Sequence, residues 1–335
     1  VDVVKHRRRG PVRGWLLLAV LLVSGCASSQ AATSAAVKVG KARPVSRAHA
    51  RTAAASRPAP PRPAPPSYPR LLHTAPAGPI PFTPFVSWRG HYPLWVSRTP
   101  AGVALVSLNQ RYLTLRLHSG TIDAGPTGWR WGPEVAPGER PLLLAAFNGG
   151  FKLDVGAGGF VLNGRVGAPL RRGLASIVTY TNGYSDIGSW GSEVPAPGLK
   201  VASVRQNLTL LIDHGQIASS VDCIPCWGAT LGGVSAPARS ALGITADGHL
   251  IWAGGMSLTP LALAQALRSA HVVRAIEMDI NPEWVAFDLY KRPAGARSAG
   301  AAAAVTPVPI VPGQNGVPGQ FLAPYSRDFY SVEAR

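Results

Sequence analysis

Most of the apolar–polar pattern of this chain has a period of two, which is the mark of strands. Val103–Leu108 (VALVSL) and Tyr112–His118 (YLTLRLH) alternate around Asn109-Gln110, which predicts a hairpin. Pro141–Phe147 is a continuous apolar run broken by Asn148-Gly149-Gly150-Phe151. Gly158–Gly164 predicts a short strand and turn, and Ser176–Tyr180 predicts a strand running into a hairpin turn at Asn182-Gly183. Leu208–Ile212 and Gln216–Ile217 flank Asp213-His214-Gly215, and Ala241–Thr245 and His249–Ala253 flank Asp247-Gly248. One segment has helical spacing. Ser257 or Thr259 offers an N-cap, Pro260 suits a first turn, and Leu261, Ala264, Leu267 and Arg268 recur at three to four residues. It leads directly into the β-rich run Val272–Ile280, so a strand–helix–strand unit is expected. Together these elements predict an α+β fold, a mixed, largely antiparallel sheet domain with a few flanking helices. No internal repeat of about 20–50 residues marks a solenoid or propeller.

The N-terminal region has a different texture. Lys5–Gly14 is basic, and Trp15–Val23 is a nine-residue apolar run, too short to span a bilayer as a helix. This is the layout of an export signal over residues 1–25. Val23-Ser24-Gly25-Cys26 resembles a bacterial lipobox, in which Cys26 would carry lipid; ordinary signal cleavage in the following Ala/Ser run is the alternative. Residues 26–84 are rich in Ala, Pro, Ser and Arg and predict an extended linker without a core of its own. The folded domain is then expected over residues 85–335. The expected location is the outer face of the cytoplasmic membrane, held by the Cys26 lipid, or the secreted fraction.

Charge alters the picture less than its total suggests. The formal net charge is +17 over 335 residues. Residues 1–70 hold 13 of the 33 basic residues against one acid, +12, and the remainder holds 20 against 15, only +5. The excess therefore belongs mostly to the N-terminal segment, and no Arg/Lys run with interleaved aromatics follows it. Nucleic acid is not an expected partner. The 46% hydrophobic content is sufficient for a sizeable core.

With Cys26 set aside, Cys223 and Cys226 form a Cys-Ile-Pro-Cys pair. In an oxidising compartment a small-loop disulfide is the simplest reading; a thioredoxin-like site needs this motif at a helix N-terminus, and Pro225 and Trp227-Gly228 suggest a loop. No second Cys/His pair has zinc-ligand spacing, and the Gly-Lys-Ser/Thr ending of a P-loop is missing, so neither metal nor cofactor is expected.

Three places concentrate candidate chemistry. Asn148-Gly149-Gly150 at a strand end puts an amide beside a backbone that a ligand can approach closely, although a plain glycine turn accounts for the same residues. Arg239, just before a strand, could clamp a phosphate or carboxylate, and Arg205 lies in a similar polar cluster, Arg205-Gln206-Asn207; a surface role fits each equally well. Ala275–Phe287 (AIEMDINPEWVAF) carries Glu277, Asp279 and Glu283 with Asn281 within seven residues. Alternation places Glu277 and Asp279 on one strand face, and Asn281-Pro282 ends the strand. Carboxylates at such an end suit acid–base work, and the solvated face of an edge strand is the plainer reading. No Gly-x-Ser-x-Gly elbow is present, and His214 falls in a hairpin turn where exposure is expected.

Taken in order, AAFNGGFK (Ala145–Lys152), ARSALGITADGHL (Ala238–Leu250) and VVRAIEMDINPEWVAF (Val272–Phe287) resemble the phosphodiester glycosidase family over about residues 100–290. Asn148 with Gly149-Gly150 matches that family's Asn-(Ala/Gly)-Gly-Phe-Phe element. Arg239 matches the Arg of Arg-(Thr/Ser)-Ala-(Ile/Leu)-Gly, and Asp279 the Asp of Leu-Asp-Gly-Gly-Gly-Ser. The chain departs after that Asp, with Ile280-Asn281-Pro282-Glu283 where the family has Gly-Gly-Gly-Ser.

The resemblance implies an exported hydrolase cleaving a sugar-1-phosphodiester or related bond in a cell-envelope glycan. Asp279 would be the acid/base, Glu277 or Glu283 its partner, and Arg239 the phosphate contact. Asn148, Gly149, Gly150, Arg205 and Asn281 would contribute to substrate binding. The altered loop keeps a second reading open, a non-catalytic glycan-binding lipoprotein on the same scaffold.

Overall fold

The computed structural model describes residues 78–228, 233–293 and 304–335. The signal segment, Cys26 and most of the expected linker lie outside the described residues. Among the described residues, regular structure starts at Thr83, two residues inside the segment read as linker, and Ile80 and Phe82 already pack on apolar side chains.

In chain order the strands are β1 (Thr83–Trp88), β2 (His91–Arg98), β3 (Ala104–Leu108), β4 (Leu113–His118), β5 (Leu143–Asn148), β6 (Phe160–Leu162) and β7 (Arg165–Ala168). They continue with β8 (Ala175–Tyr180), β9 (Ser185–Ser189), β10 (Val201–Gln206), β11 (Leu210–Asp213), β12 (Gln216–Ile217), β13 (Arg239–Thr245) and β14 (Leu250–Gly255). After helix α1 (Pro260–Ser269) come β15 (Val272–Glu277), β16 (Phe287–Lys291), β17 (Thr306–Pro309) and β18 (Phe329–Ala334). An eight-stranded sheet runs β1-β2-β3-β14-β13-β15-β11-β12, and two five-stranded sheets run β7-β6-β10-β8-β9 and β17-β16-β5-β18-β4. Every strand pair in them is antiparallel. The fold is thus sheet-dominated, with one α-helix among the described residues, rather than the more balanced α+β mixture expected.

The main core is shared by the three sheets. Leu242, Trp252 and Ile276 come from the large sheet, Ile177 and Val204 from the second, and Leu115, Phe147 and Val332 from the third. The other face of the large sheet is covered by α1, whose Leu263, Ala264 and Leu267 meet Leu105, Ala241 and Ile251. Arg268 is exposed and Leu261 only partly buried, so the buried stripe is rotated from the one expected. Of the two candidate caps, Thr259 acts: its Oγ1 accepts from Ala262 N at 3.1 Å, a contact worth about 1 kcal/mol. Because β13 separates β14 from β15 and is antiparallel to both, those two run parallel, and α1 makes the crossover.

The local turns follow the residues. His214-Gly215 and Asn163-Gly164 both have positive φ at their two central positions (45° and 77°; 48° and 79°), as tight antiparallel hairpins require. The expected β3–β4 hairpin does not form. Both strands exist, but β3 pairs with β2 and β14 while β4 pairs with β18. Alternation specifies which face is apolar and not which neighbour is taken. The intervening Gln110 is buried and ties the corner to the start of β9 and to the β13–β14 turn, donating to Ser185 O and Gly248 O at 2.9 Å each.

Candidate functional site

β15 ends at Glu277, two residues before Asp279, and it is an interior strand between β13 and β11. The edge-strand reading therefore fails, and the two acids do not share a solvated face. Backbone pairing continues irregularly past the strand, with Met278 N donating to Ser240 O at 2.8 Å and Ser240 N to Asp279 O at 3.1 Å. This short extension delivers Asp279 to the wall of a cleft of about 1300 Å³.

Asp279 lines that cleft but is itself nearly covered. Its Oδ1 accepts from Asn281 N at 2.8 Å and its Oδ2 from Arg327 Nη2 at 3.1 Å. Burial pushes its carboxyl up to about 6, against the Arg327 guanidinium and the Asn281 N–H, which pull it down. The folded chain thus holds this proton more tightly than the ordinary 3.8. The stability contributed by the protonated form is complete below that value and is lost as pH rises through about 6.

The turn after Asp279 is held by its own residues. Asn281 Oδ1 accepts from Glu283 N at 3.0 Å, and Asn281 O accepts from Trp284 N at 2.9 Å. Asn281, Glu283 and Trp284 all line the cleft, and Glu283 is exposed. Arg327 lies over the Trp284 ring, 4.2 Å from its centroid, and Lys152 Nζ lies 5.1 Å from it. Lys152 and Arg171 are the cleft's exposed cations.

Glu277, Arg239, Asn148 and Arg205 do not line the cleft. Glu277 and Arg239 are wholly buried and paired, Nη1 to Oε1 at 2.6 Å. Arg239 also donates to Trp227 O at 2.7 Å and Leu258 O at 2.9 Å, so its guanidinium braces the loop ahead of β13 and the one after β14 instead of facing a phosphate. Burial pushes the Glu277 carboxyl up, opposed by the Arg239 guanidinium that pairs with it. Asn148 donates to Ser240 Oγ at 2.9 Å and accepts from Ala286 N at 3.3 Å. Ser240 Oγ in turn donates to Asp279 O at 3.0 Å. The three separate sequence elements therefore meet in one buried polar knot behind the cleft, and Asp279 is the member that opens into it.

The Asn-Gly-Gly element serves close approach, but of a protein ion pair. Arg205 grips Asp328 through Nε (2.8 Å) and Nη2 (3.0 Å), with both side chains buried. A Cβ at Gly149 would lie 2.6 Å from Asp328 Cγ, and one at Gly150 would lie 3.0 Å from Arg205 Cζ. Gly149→Ala is expected to cost about 1–3 kcal/mol in urea unfolding, because Asp328 backbone as well as side chain stands in the way. Unchanged stability would show that the pair relaxes freely.

Sequence reasoning missed Arg327 and Asp328, and with them Asp123, whose Oδ2 pairs with Arg327 Nη1. The signal available was an Arg-Asp doublet just before the β-rich Phe329–Ala334. Cys223 and Cys226 form a disulfide around the short 3-10 turn Ile224–Trp227, and Cys226 lines the cleft. For a metal, Glu193, Asp213 and His214 bring donor atoms within 4.8 Å of one another at an exposed turn, with Arg274 Nη1 3.6 Å from Glu193 as a competing cation. His214 is exposed, as expected from its turn.

No family model matches the chain, and no curated protein does. Among solved structures, the zebrafish N-acetylglucosamine-1-phosphodiester alpha-N-acetylglucosaminidase catalytic domain, auto-inhibited by its pro-peptide, is 15% identical over 80% of this chain and 87% of that one, with a TM-score of 0.44. A hypothetical protein from Synechocystis is 13% identical over 77% of this chain and 64% of its own, just under two thirds, with a TM-score of 0.40. A protein from Burkholderia pseudomallei described as a putative exported protein is 12% identical over 73% of this chain and 75% of that one, with a TM-score of 0.31. Likenesses of this size assign neither activity nor residues. Among the described residues, no helix is long and apolar enough to cross a membrane.

Proposed function

We propose that this chain is an exported hydrolase that cleaves a sugar-1-phosphodiester, or a related glycosidic bond, in a cell-envelope glycan, with Asp279 as its acid–base residue. The observation that carries this is a nearly buried carboxyl on the wall of a large cleft, with its proton affinity raised to about 6 and the cations Lys152 and Arg171 on the same cleft. The sequence resemblance supplies the kind of bond.

Water attacks the anomeric carbon as its bond to the phosphate oxygen breaks. The proton released goes to the Asp279 carboxylate, and the products are the free sugar and a phosphate monoester bearing the other substituent. A phosphate monoester has a second pKa of about 6 and leaves without help from a strong acid. One well-held carboxylate therefore suffices in principle, unlike the two of ordinary glycosidases. Glu283 shares the cleft and is the remaining candidate partner, whereas Glu277 takes a structural part. Lys152 replaces Arg239 as the proposed phosphate contact.

The pH dependence tests this reading. On a soluble sugar-1-phosphodiester, kcat/KM is expected to rise from acid toward neutral with an apparent pKa near 6, because Asp279 must be ionised to accept a proton. Rates that stay level from about pH 4 to 8 would remove Asp279 from the mechanism.

A non-catalytic glycan-binding role is supported by one specific observation: where the resembled family has a Gly-rich loop after its Asp, this chain has a turn closed by its own side chain, Asn281 Oδ1 accepting from Glu283 N at 3.0 Å. Saturable glycan binding with no turnover across a panel of phosphodiesters would select it. A lipid on Cys26 would hold either activity on the outer face of the cytoplasmic membrane.

A further inference from the structure

The cleft is larger and more apolar than a sugar phosphate requires. Its volume is about 1300 Å³, against roughly 300–1,000 Å³ for pockets that enclose a drug-sized ligand. Apart from the charged residues Lys152, Arg171, Asp279 and Glu283, the described lining has few hydrogen-bonding side chains, namely Thr209, Ser220, Asn281 and the Trp284 indole. The rest is mostly hydrocarbon, with Leu174, Leu208, Met256 and Ile280 on the walls. Val155 is 63% exposed at the same cleft, carried on the short 3-10 turn Leu153–Val155 that closes through left-handed Gly156 (φ 67°). A long glycan would be met by amides, hydroxyls and free aromatic faces along its length. An apolar trough with Lys152 beside the Asp279 turn suits an amphiphile; the second cation, Arg171, is held on Gly156 O next to Val155.

We propose that the substrate is a sugar-1-phosphodiester whose second substituent is a long hydrocarbon chain. The sugar and phosphate sit by Asp279 and Lys152, and the chain lies along the wall formed by Leu174, Leu208, Met256 and Val155. This rests on the hydrolase reading above and specifies what hangs from the phosphate. Charge supports the arrangement: Lys152 lies over Trp284, next to the Asp279 turn, where a phosphodiester anion would be neutralised before the chain enters apolar surroundings.

The test compares two esters of the same sugar 1-phosphate, methyl and dodecyl, both below the micellar concentration, on the full chain. Each buried methylene is worth about a factor of four, so kcat/KM is expected to be at least about 100-fold higher for the dodecyl ester. Val155→Asp, at an exposed position that does not threaten folding, is expected to lower the dodecyl-to-methyl ratio at least about tenfold. Equal kcat/KM for both esters overturns the chain-binding proposal and leaves the hydrolase reading intact. Turnover of neither ester overturns the hydrolase reading, and calorimetry with dodecyl phosphate and methyl phosphate then decides this one. Saturable binding of dodecyl phosphate alone, weakened by Val155→Asp, supports the amphiphile site, and equal or absent binding of the two overturns it.

Discussion

Asp279→Asn is expected to lower kcat for a sugar-1-phosphodiester by about 10³-fold while changing KM little. The variant keeps the shape of the residue and removes its ability to take a proton, and positioned acid–base groups contribute about 10²–10⁴-fold. The amide can still accept from Asn281 N through one oxygen, so the turn that carries Glu283 and Trp284 has no reason to move. Folding is expected to weaken by less than the loss of an isolated buried pair, because Arg327 gives up its contact with Asp279 Oδ2 but keeps Asp123 and Gly150 O. Below about pH 6 the wild-type carboxyl is protonated and neutral like the amide, and above it the variant lacks the buried charge whose desolvation raised the pKa. Steady-state kinetics alongside thermal unfolding of both proteins make the measurement. Full activity in a folded variant would falsify the assignment, and a variant that fails to fold would mean that Asp279 is a structural anchor for Arg327.

Arg239→Met is expected to destabilise the fold by about 3–5 kcal/mol, the usual cost of removing one partner from a buried ion pair. Arg239 satisfies Glu277 and two main-chain carbonyls, Trp227 O and Leu258 O, and none of these can turn to water. The double variant Arg239→Met/Glu277→Leu is expected to lose less than the sum of the two single variants, since it removes the stranded carboxyl along with its partner. Urea unfolding of the four proteins gives the coupling. A single variant within about 0.5 kcal/mol of wild type would show that the pair contributes nothing and would return Arg239 to the list of ligand contacts.

These two residues illustrate how legible the site was. Asp279 stood out because an acid at the end of an apolar strand is costly unless it meets solvent or a site, and the prolyl residue two positions on from Ile280 required the chain to turn there. Arg239 stood out for the same kind of reason and has a different part. A cation before a strand looks the same in sequence whether it faces a phosphate or a glutamate 38 residues away. Asn148-Gly149-Gly150 pointed to close approach by a ligand. The approaching group is Arg205–Asp328, a pair separated by 123 residues that no local pattern could join. Arg327 was overlooked because its doublet with Asp328 belongs to no periodic segment and gains meaning only when β18 pairs with β5, bringing it beside Gly150 and Asp279.

The sequence by itself determined the local elements. Glycine and asparagine placed the tight turns at 163–164 and 214–215, Thr259-Pro260 set the start of α1, and period-two alternation marked most of the central strands. Each of these depends on residues within a few positions of one another, where backbone sterics and local hydrogen bonds decide the outcome. Tertiary structure alone decided which strands became neighbours, as β3 and β4 show by entering different sheets. It also decided which charged groups were buried against each other and which remained open to the cleft. Those outcomes depend on contacts between distant segments, whose burial converts an ordinary Asp279 into a carboxyl titrating near 6 and an ordinary Arg239 into an internal brace.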